Sequence, residues 1–539
     1  MKQIKKMVDI SSMSRKEIEE YAMKLSTQME AMEAKLSWYE EQLRLNRQKR
    51  FGASSEKITI DQMSFFNEAE SEYDESLKEP KVGDIKPPTT KKKQKGHKDK
   101  ITRPLPKEVI DYVLTDDEMI CPVCGEMLHE MKKEIRKEIT IIPARYVVKE
   151  HVVHTYSCRS CETNGTSATI VKAKSPKPLF RNCLASASLL ADIMVKKYML
   201  SLPLYRQEQS LKLEGLRLSR QTMANWVVNA SDRYLKSLYD LMHRDLLTRD
   251  IIHADETELE VLREPGRPAT AKSYMWLYRT SGCDFERPIV LYEYQPSRNG
   301  DNARSFLKGF SGYLQTDAYS GYNKVIKACG KDEPIVIPIG CLAHARRKFD
   351  EALKAIPQNT DKKTSQSIIG LEYCNKLFEI EKYAKEQELS YDEITKLRKE
   401  KALPVFEEFL SWAKRLYDES LPKSLLGEAL KYLINQEQSL KNYILDGRLE
   451  ITNNRAERSI KPFVIGRKNW LFSNTPKGAQ ASAIVYSIME SAKEAGLKPF
   501  EYFTYLFEVL PNLDSMDEET VKSLLPYSQS IPDSIRVTE

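Results

Sequence analysis

The chain has 539 residues, a length that predicts about three to five structural units. Its 84 Lys and Arg residues against 78 Asp and Glu residues give a formal net charge of +6, which alone says little about nucleic-acid binding. The apolar run around residues 187–200 contains Asp192, Lys196 and Lys197, so it falls short of the roughly 20 apolar residues of a membrane-spanning helix. The opening residues lack the apolar core of a signal peptide and the nine cysteines are an odd number, so we expect a cytoplasmic protein without a disulfide framework.

Apolar residues near the start of the chain recur at alternating steps of four and three. They are Ile18, Ala22, Leu25, Met29, Met32, Leu36, Tyr39 and Leu43. A period of about 3.5 residues keeps one apolar seam facing a partner helix, which predicts a coiled coil within residues 1–60. We expect it to join copies of this chain, most simply as a dimer; the alternative is a helix that folds back on its own body.

A flexible basic linker is predicted over residues 61–100. This segment is highly charged, has few large apolar residues and contains the sequence KKKQKGHKDK at positions 91–100. Such a composition cannot bury enough apolar surface to form a core.

Residues 101–175 carry two pairs of closely spaced cysteines. Cys121 and Cys124 lie in CPVCG, and Cys158 and Cys161 lie in CRSC. Four thiolates from two such pairs complete the tetrahedral shell of a structural zinc ion, so we predict a zinc ribbon with one Zn²⁺. An unmetallated thiol or redox pair is the alternative.

Two histidines lie close to the second cysteine pair. His151 and His154 are alternative zinc ligands, but with four cysteines present we expect them to be exposed strand residues.

A helical, helix-turn-helix-like region is predicted over residues 176–245. Leu204–Leu213 has the pattern of a helix, Gly215 permits a turn, and Ser219 can cap a second helix that runs through Val228. An ordinary helical hairpin has the same pattern. If the region binds DNA, the side chains expected to contact it are Arg220, Gln221 and Asn225.

Three strand-like runs after Asp250 are followed by alternating helix-like and strand-like segments. This order is typical of an RNase H-like fold, in which the first and fourth strands lie side by side at the centre of the sheet. Asp255 on the first strand and Asp317 at the end of the fourth would then be neighbours. Two adjacent carboxylates repel each other unless a divalent cation lies between them, and hard oxygen ligands suit Mg²⁺ or Mn²⁺.

A third carboxylate is expected from Glu457 in the stretch ITNNRAERSIKPFVIGRKNWLF. Thr452 or Asn453 can cap a short helix, and Pro462 is expected to end it. Strand alternation places the neighbouring acids of the first strand on the opposite face from Asp255, so we do not expect them in the site. These excluded acids are Glu256, Glu258 and Glu260.

The chain is therefore predicted to be a multidomain α/β protein with an interrupted catalytic core. The core occupies residues 246–350 and 449–515, a helical insertion fills residues 351–448, and residues 516–539 form a C-terminal tail.

Several distinctive stretches follow one another in the order found in one bacterial family. They are RFGASSEK, CPVCG with YSCRSC, LPLYRQEQ, HADET, LQTDAYSGY, CLAHARRKF, NNRAERSIKPFVIGRKNWLF and GLKPFEYFTYLFEVL. On these stretches the chain resembles transposases of the insertion sequence 66 family, which have a DDE catalytic triad. The weakest match is the stretch Gln358–Ser420.

The resemblance implies catalytic acids at Asp255, Asp317 and Glu457, and zinc ligands at the four cysteines. It implies that the acids hold two Mg²⁺ or Mn²⁺ ions, which support cleavage at element ends and strand transfer into target DNA. Accessory proteins of the element are expected as further partners.

Basic and aromatic residues near the acid motifs are predicted to contact DNA. They are His344, Arg346, Arg347, Arg455, Arg458, Lys461, Arg467, Lys468 and Trp470. His344 could instead cap the helix that follows it. Two rival functions remain at this stage: a non-catalytic DNA-binding regulator derived from a transposase, and a nuclease that cuts without joining.

Overall fold

The structure is a computed structural model that describes residues 146–157, 170–326, 335–356 and 365–537. The chain divides into two compact units, and one boundary between them in the sequence lies between Pro176 and Lys177. The predicted coiled coil, the linker and the four cysteines of the zinc ribbon lie outside the described residues.

The smaller unit contains a short antiparallel hairpin-like pair of strands. Strand β1 (Thr155–Ser157) pairs with β2 (Ile170–Lys172), and the N–H of Ala173 donates to the carbonyl of His154 at 2.9 Å. His151 and His154 are exposed, as expected, although both precede the strand.

The larger unit begins with helices α1 (Ala187–Met194), α2 (Leu204–Leu213), α3 (Arg220–Ala230) and α4 (Lys236–Leu247). Helix α1 lies in the apolar run at residues 187–200, which Asp192, Lys196 and Lys197 interrupt. Within the described ranges, no helix has both the length and the apolar content to cross a membrane.

The predicted helix pair around Gly215 is confirmed. Gly215 has φ +83°, and the Ser219 hydroxyl accepts a hydrogen bond from the N–H of Thr222 at 3.1 Å, which caps α3. The pair is not a separate module, however, because Met223 and Val227 of α3 belong to the same apolar core as the sheet.

A mixed five-stranded sheet forms the centre of the described part of the larger unit. Its strands are β3 (Ile251–Glu260), β4 (Lys272–Thr280), β5 (Val290–Gln295), β6 (Gly312–Gln315) and β7 (Val336–Ile339), with α5 (Gly300–Phe306) and α6 (Asn323–Ile326) between them. The spatial order is β5-β4-β3-β6-β7, and β3 runs parallel to β6. The predicted adjacency of the first and fourth strands is therefore confirmed.

A long helix covers the β5 edge of the sheet. Helix α14 (Pro476–Glu494) places two serines four residues apart, so that both face the strand. Ser487 Oγ accepts from the N–H of Tyr292 at 2.7 Å, and Ser491 Oγ accepts from the N–H of Val290 at 2.8 Å. These bonds satisfy edge groups that would otherwise be open to pairing with another chain.

The described residues of the segment predicted as a helical insertion, residues 351–448, are largely helical, but the first of these helices begins before residue 351. Its helices are α7 (Leu342–Ala355), α8 (Gln366–Glu386), α9 (Tyr391–Leu397), α10 (Leu403–Glu419), α11 (Leu425–Asn435) and α12 (Glu437–Lys441). They form a second apolar core around Phe349, Phe406 and Phe409, which meets the sheet at Ile251 and Ile339.

Arg398 fastens the insertion to the segment that returns to the sheet. Its guanidinium is 3% exposed and forms an ion pair with Glu381 at 2.6 Å. It also donates to the backbone carbonyls of Tyr443, Asp446 and Leu449 at 2.7–2.9 Å. A buried charge with these partners holds the returning segment in one position.

Two predictions about the C-terminal region are wrong. Helix α13 (Asn454–Trp470) continues through Pro462 instead of ending there. Proline removes one hydrogen bond of the helix. Before and after Pro462, however, the buried face formed by Ala456, Ile460 and Phe463 packs into the apolar core that contains the sheet, called the main core below.

The described part of the predicted C-terminal tail, residues 516–537, packs against the rest of the larger unit. After α15 (Pro499–Val509), helix α16 (Glu518–Ser523) and the residues that follow bury Val521, Leu525 and Ile531 in the main core. Val521, Leu524 and Leu525 have the i, i+3, i+4 spacing of an apolar helix face, a signal that the sequence interpretation did not use.

We expect Arg398→Ala to lower the free energy of unfolding by roughly 3–5 kcal/mol, because it leaves Glu381 and three carbonyls without their buried partner. Urea unfolding followed by circular dichroism measures the change. Lys399→Ala, an exposed neighbour in the same helical turn, is the matched control and should stay within about 0.5 kcal/mol of the parent. Equal losses for the two variants would contradict the bracing role of Arg398.

Candidate active site

The parallel register of β3 and β6 brings two of the predicted acids together. Within it His253 is the partner of Gln315, two residues before Asp255 and Asp317 respectively, and the Asp317 carboxylate is close enough to raise the pKa of Asp255. Asp317 lies two residues beyond the end of β6, in a turn where Ala318 has φ +69°. An alanine in this left-handed conformation is strained, which is common where a fold fixes a functional side chain. The Asp317 carboxylate accepts a hydrogen bond from the N–H of Tyr319 at 3.0 Å.

The start of α13 is held against β3 by Asn453. Its side-chain oxygen lies 3.1 Å from His253 Nδ1, and its side-chain nitrogen donates to the carbonyl of Ala254 at 2.9 Å. Asn453 occupies the N-cap position but makes no side-chain cap hydrogen bond, so the prediction that its side chain can cap this helix is wrong. The tertiary contacts use the same side chain and bring Glu457, in the first turn of α13, towards β3.

The predicted acids influence one another electrostatically. Burial raises the pKa of Asp255 well above its usual range, and the carboxylates of Glu256, Asp317 and Glu457 raise it further. The N–H of Glu256, which donates to Asp255 Oδ1 at 2.8 Å, acts in the opposite direction. Side chains from β3, from the end of β6 and from α13 therefore converge.

Glu256, which the sequence interpretation excluded from the site, follows Asp255 in β3 and interacts electrostatically with Asp255 and Asp317. Its side chain is 1% exposed and forms an ion pair with Arg298 at 2.5 Å, and Tyr322 donates to it at 2.7 Å. Burial raises the pKa of Glu256, as does the carboxylate of Asp317. Strand alternation separates Glu256 from Asp255, but it takes no account of the loops that supply Arg298 and Tyr322. The signals for these contacts in the sequence were Arg298 in SRNG and Tyr322 in AYSGY.

The other two acids excluded from the site, Glu258 and Glu260, are exposed. Glu258 pairs with Lys272 at 2.7 Å on the surface of the sheet.

His344 lies beside Glu457. It is in the first turn of α7, and its Nδ1 is 3.9 Å from Glu457 Oε1. The side chains are 23% and 20% exposed, respectively. Burial lowers the pKa of His344, whereas the Glu457 carboxylate raises it. Cys341, immediately before α7, is fully buried, and its Sγ accepts a hydrogen bond from the N–H of Asn453 at 3.2 Å.

The side chains predicted to contact DNA fall into an exposed set and a partly buried set. The exposed set consists of Arg220, Gln221 and Asn225 on α3, Arg347 on α7, and Arg458 and Lys468 on α13. Arg347, Arg458 and Lys468 share their helices with His344 and Glu457, whereas the first three are on a separate element.

The partly buried set makes contacts within the protein. Arg346 bonds to Asn375 at 3.0 Å, Arg455 to Glu450 at 2.6 Å, and Arg467 to Thr257 at 3.2 Å. The ring of Trp470 packs edge-on against Phe463 at 5.5 Å, and Lys461 is half-buried. DNA contact by these residues remains a prediction. For Arg455 and Arg467 it requires that the hydrogen bonds to Glu450 and Thr257 be shared with DNA or replaced by bonds to DNA.

Comparison with known families gives matches along most of the chain. The Transposase IS66 family matches residues 182–481, the zinc-finger binding domain of transposase IS66 matches residues 118–162, and Transposase C of IS166 homeodomain matches residues 38–110. The first match includes all three predicted acids, and the second includes all four predicted zinc ligands.

Similar proteins occur in Sinorhizobium fredii. The uncharacterized protein y4jD is 29% identical over 430 residues, which are 79% of this chain and 81% of that protein. The uncharacterized protein y4qI is 32% identical over 374 residues, which are 68% of this chain and 66% of that protein. Their similarity extends over most of each chain.

We expect Asn453→Ala to lower the free energy of unfolding by roughly 2 kcal/mol, because it leaves His253 Nδ1 and the carbonyl of Ala254 without a buried partner. The urea midpoint of the full chain measures this. Asn454→Ala changes the exposed neighbour and is the matched control. If both variants unfold at the parent midpoint, Asn453 does not fasten α13 to β3.

Proposed function

Because the chain belongs to the IS66 transposase family, we propose that it cleaves DNA at the ends of its insertion element and joins those ends to target DNA. The observation that carries this proposal is that Asp317 and Glu457, from two other elements, both act electrostatically on Asp255: burial and the carboxylate of Glu256 raise the pKa of Asp255 most, and those of Asp317 and Glu457 raise it further. The sheet order β5-β4-β3-β6-β7 supports the assignment of an RNase H-like core.

The residues of the site fit divalent cations. Like charges destabilise the ionised form of Asp255, and a cation between the carboxylates reverses that effect. Within the described ranges, Glu457 Oε1 is buried and has no hydrogen-bond partner, so it is available as a ligand. We propose that Asp255, Asp317 and Glu457 bind two Mg²⁺ or Mn²⁺ ions. Bound in this way, such ions activate an oxygen nucleophile and offset the charge of the leaving oxygen during in-line attack.

The protein's own groups keep the acids in place for this chemistry. The N–H of Tyr319 orients Asp317, and the N–H of Glu256 orients Asp255. Arg298 and Tyr322 bind the carboxylate of Glu256 and so hold a fourth acid in place beside the site. With both of its oxygens bonded within the protein, Glu256 would be a poorer metal ligand than Asp255.

The exposed cations on α7 and α13 are proposed to bind the phosphates of the element end. Arg347, Arg458 and Lys468 lie on the helices that carry His344 and Glu457, so a duplex bound by them would pass the acids. His344 is proposed to bond to the scissile phosphate. Binding through such contacts should weaken with increasing salt.

The N-terminal regions are proposed to assemble the complex. Cys121, Cys124, Cys158 and Cys161 would bind one structural zinc ion, in the segment that matches a zinc-finger domain. A coiled coil within residues 1–60 would hold two copies together, so that both element ends are bound at once. Accessory proteins of the element are further proposed partners.

We expect Asp255→Asn to lower cleavage of labelled element-end DNA in Mg²⁺ by about 10²–10³-fold or more, because it removes a shared metal ligand. DNA binding, measured by gel shift, should remain. Glu258→Gln, an exposed carboxylate on the same strand, is the control and should cleave like the parent. Normal cleavage by Asp255→Asn would contradict the assignment of the site, and binding without cleavage by the parent protein would favour a regulator.

Purified protein dialysed against metal-free buffer should retain about one zinc ion per chain by elemental analysis. We expect Cys121→Ser to lose it, because three thiolates bind zinc less tightly than four. Cys283→Ser, which changes a half-buried free thiol of the larger unit, is the control and should retain the zinc. Retention of zinc by Cys121→Ser would show that the ligands are elsewhere.

A further inference from the structure

A second group of side chains that could bind a metal shares Glu457 with the three acids. Cys341 precedes α7, His344 is in its first turn, and Glu457 is in the first turn of α13. A sulfur, a nitrogen and a carboxylate oxygen of these residues all lie within 4.8 Å of one another. Among the described residues they form such a group, whereas Asp255, Asp317 and Glu457 do not. This group differs from the three acids in chemistry as well as in spacing.

Two of the three ligand atoms lack hydrogen bonds. His344 Nδ1 and Glu457 Oε1 are 3.9 Å apart, too far to bond to each other. Both atoms are buried, and neither has a hydrogen-bond partner in the described part of the chain. Buried polar atoms without partners are unfavourable and are unusual in a folded protein, so their pairing at this point requires an explanation.

The third ligand atom has donors that favour its thiolate form. The N–H of Asn453 donates to Cys341 Sγ at 3.2 Å. Burial raises the pKa of the Cys341 thiol to about 11, while the N–H groups of Asn453, His344 and Ala343 lower it. A cation bound to the sulfur displaces the thiol proton outright, and the three donors then stabilise the thiolate.

We propose that Cys341, His344 and Glu457 bind a borderline divalent cation, Zn²⁺, with a fourth position open to water. Sulfur and imidazole ligands select zinc over magnesium, because Mg²⁺ prefers oxygen ligands. Three ligands within 4.8 Å need little movement to reach the tetrahedral geometry of zinc. Nδ1 of His344 is the ligating nitrogen.

The site has a consequence for catalysis that rests on the proposed function. With Oε1 bound to this zinc ion, Glu457 would offer only Oε2 to the ions of Asp255 and Asp317, and a zinc ion close to that site would repel them. Nδ1 of His344 is likewise unavailable to a DNA phosphate while zinc is bound. Zinc at this point therefore inhibits the Mg²⁺-dependent reaction, in competition with Mg²⁺.

The experiment measures zinc content by elemental analysis after dialysis of the full chain against buffered micromolar free Zn²⁺. The parent protein should contain one zinc ion per chain more than Cys341→Ser and one more than His344→Gln. Cys283→Ser alters a thiol of the same unit outside the group and should equal the parent. Equal zinc contents in the parent and in both variants would overturn the proposal.

Two further measurements keep the result interpretable. The urea midpoint identifies a variant that does not fold, and His344→Gln serves if Cys341→Ser fails, since the His344 side chain is 23% exposed. With Co²⁺ in place of Zn²⁺, the parent should show a thiolate-to-cobalt absorption component that Cys341→Ser lacks. An identical cobalt spectrum in a folded Cys341→Ser protein would contradict sulfur ligation at this point.

A cleavage assay separates this proposal from the proposed function. The parent activity in Mg²⁺ should fall when micromolar Zn²⁺ is added and return when Mg²⁺ is raised. If the parent does not cleave DNA but binds the extra zinc ion, the zinc site stands and the proposed function fails. If the parent cleaves DNA but binds no extra zinc, the zinc site fails and the proposed function stands.

Discussion

The crowding of carboxylates at the end of the β3–β6 pair is the constraint on which this structure depends. Asp255 experiences burial and the negative charge of Glu256, Asp317 and Glu457, all of which oppose its ionisation. Such a cluster persists only where the surrounding fold determines the position of each group. Arg298 forms an ion pair with Glu256 at 2.5 Å, and the proposed divalent cations would balance the charge of the other acids.

The two apolar cores place the elements that carry the acids. The main core joins the preceding helices, the sheet and the C-terminal helices, and the second core lies in the insertion. Arg398 binds the carbonyls of Tyr443, Asp446 and Leu449, a few residues before Asn453 connects to β3. The insertion is thus connected through a short segment to the helix that carries Glu457. This arrangement, together with the contact of the second core with the sheet at Ile251 and Ile339, explains how the helical insertion can matter to the geometry of the site.

The adjacency of the first and fourth strands could be predicted from the sequence, and the three candidate acids could be chosen from it. Strand-like runs, their alternation with helices, and the positions of Asp317 after a strand and of Glu457 near the start of a helix are local features, and local features are visible in a sequence. Glu256 was missed because its burial depends on Arg298 and Tyr322, which come from distant loops. Pro462 misled because packing on both sides of it keeps α13 intact. The grouping of Cys341 with Glu457 depends on two helix starts that meet only in the folded chain.

If Asp255, Asp317 and Glu457 share divalent cations, as proposed, iron-directed cleavage of the polypeptide should reveal it. Fe²⁺ in place of Mg²⁺, with ascorbate and peroxide, generates radicals at the metal that cut the nearest backbone, and mass spectrometry locates the cuts. We expect cuts in three segments, around residues 255, 317 and 457, that excess Mg²⁺ suppresses. Cuts confined to one of these segments, or lying elsewhere in the chain, would show that the three acids do not bind a common group of ions.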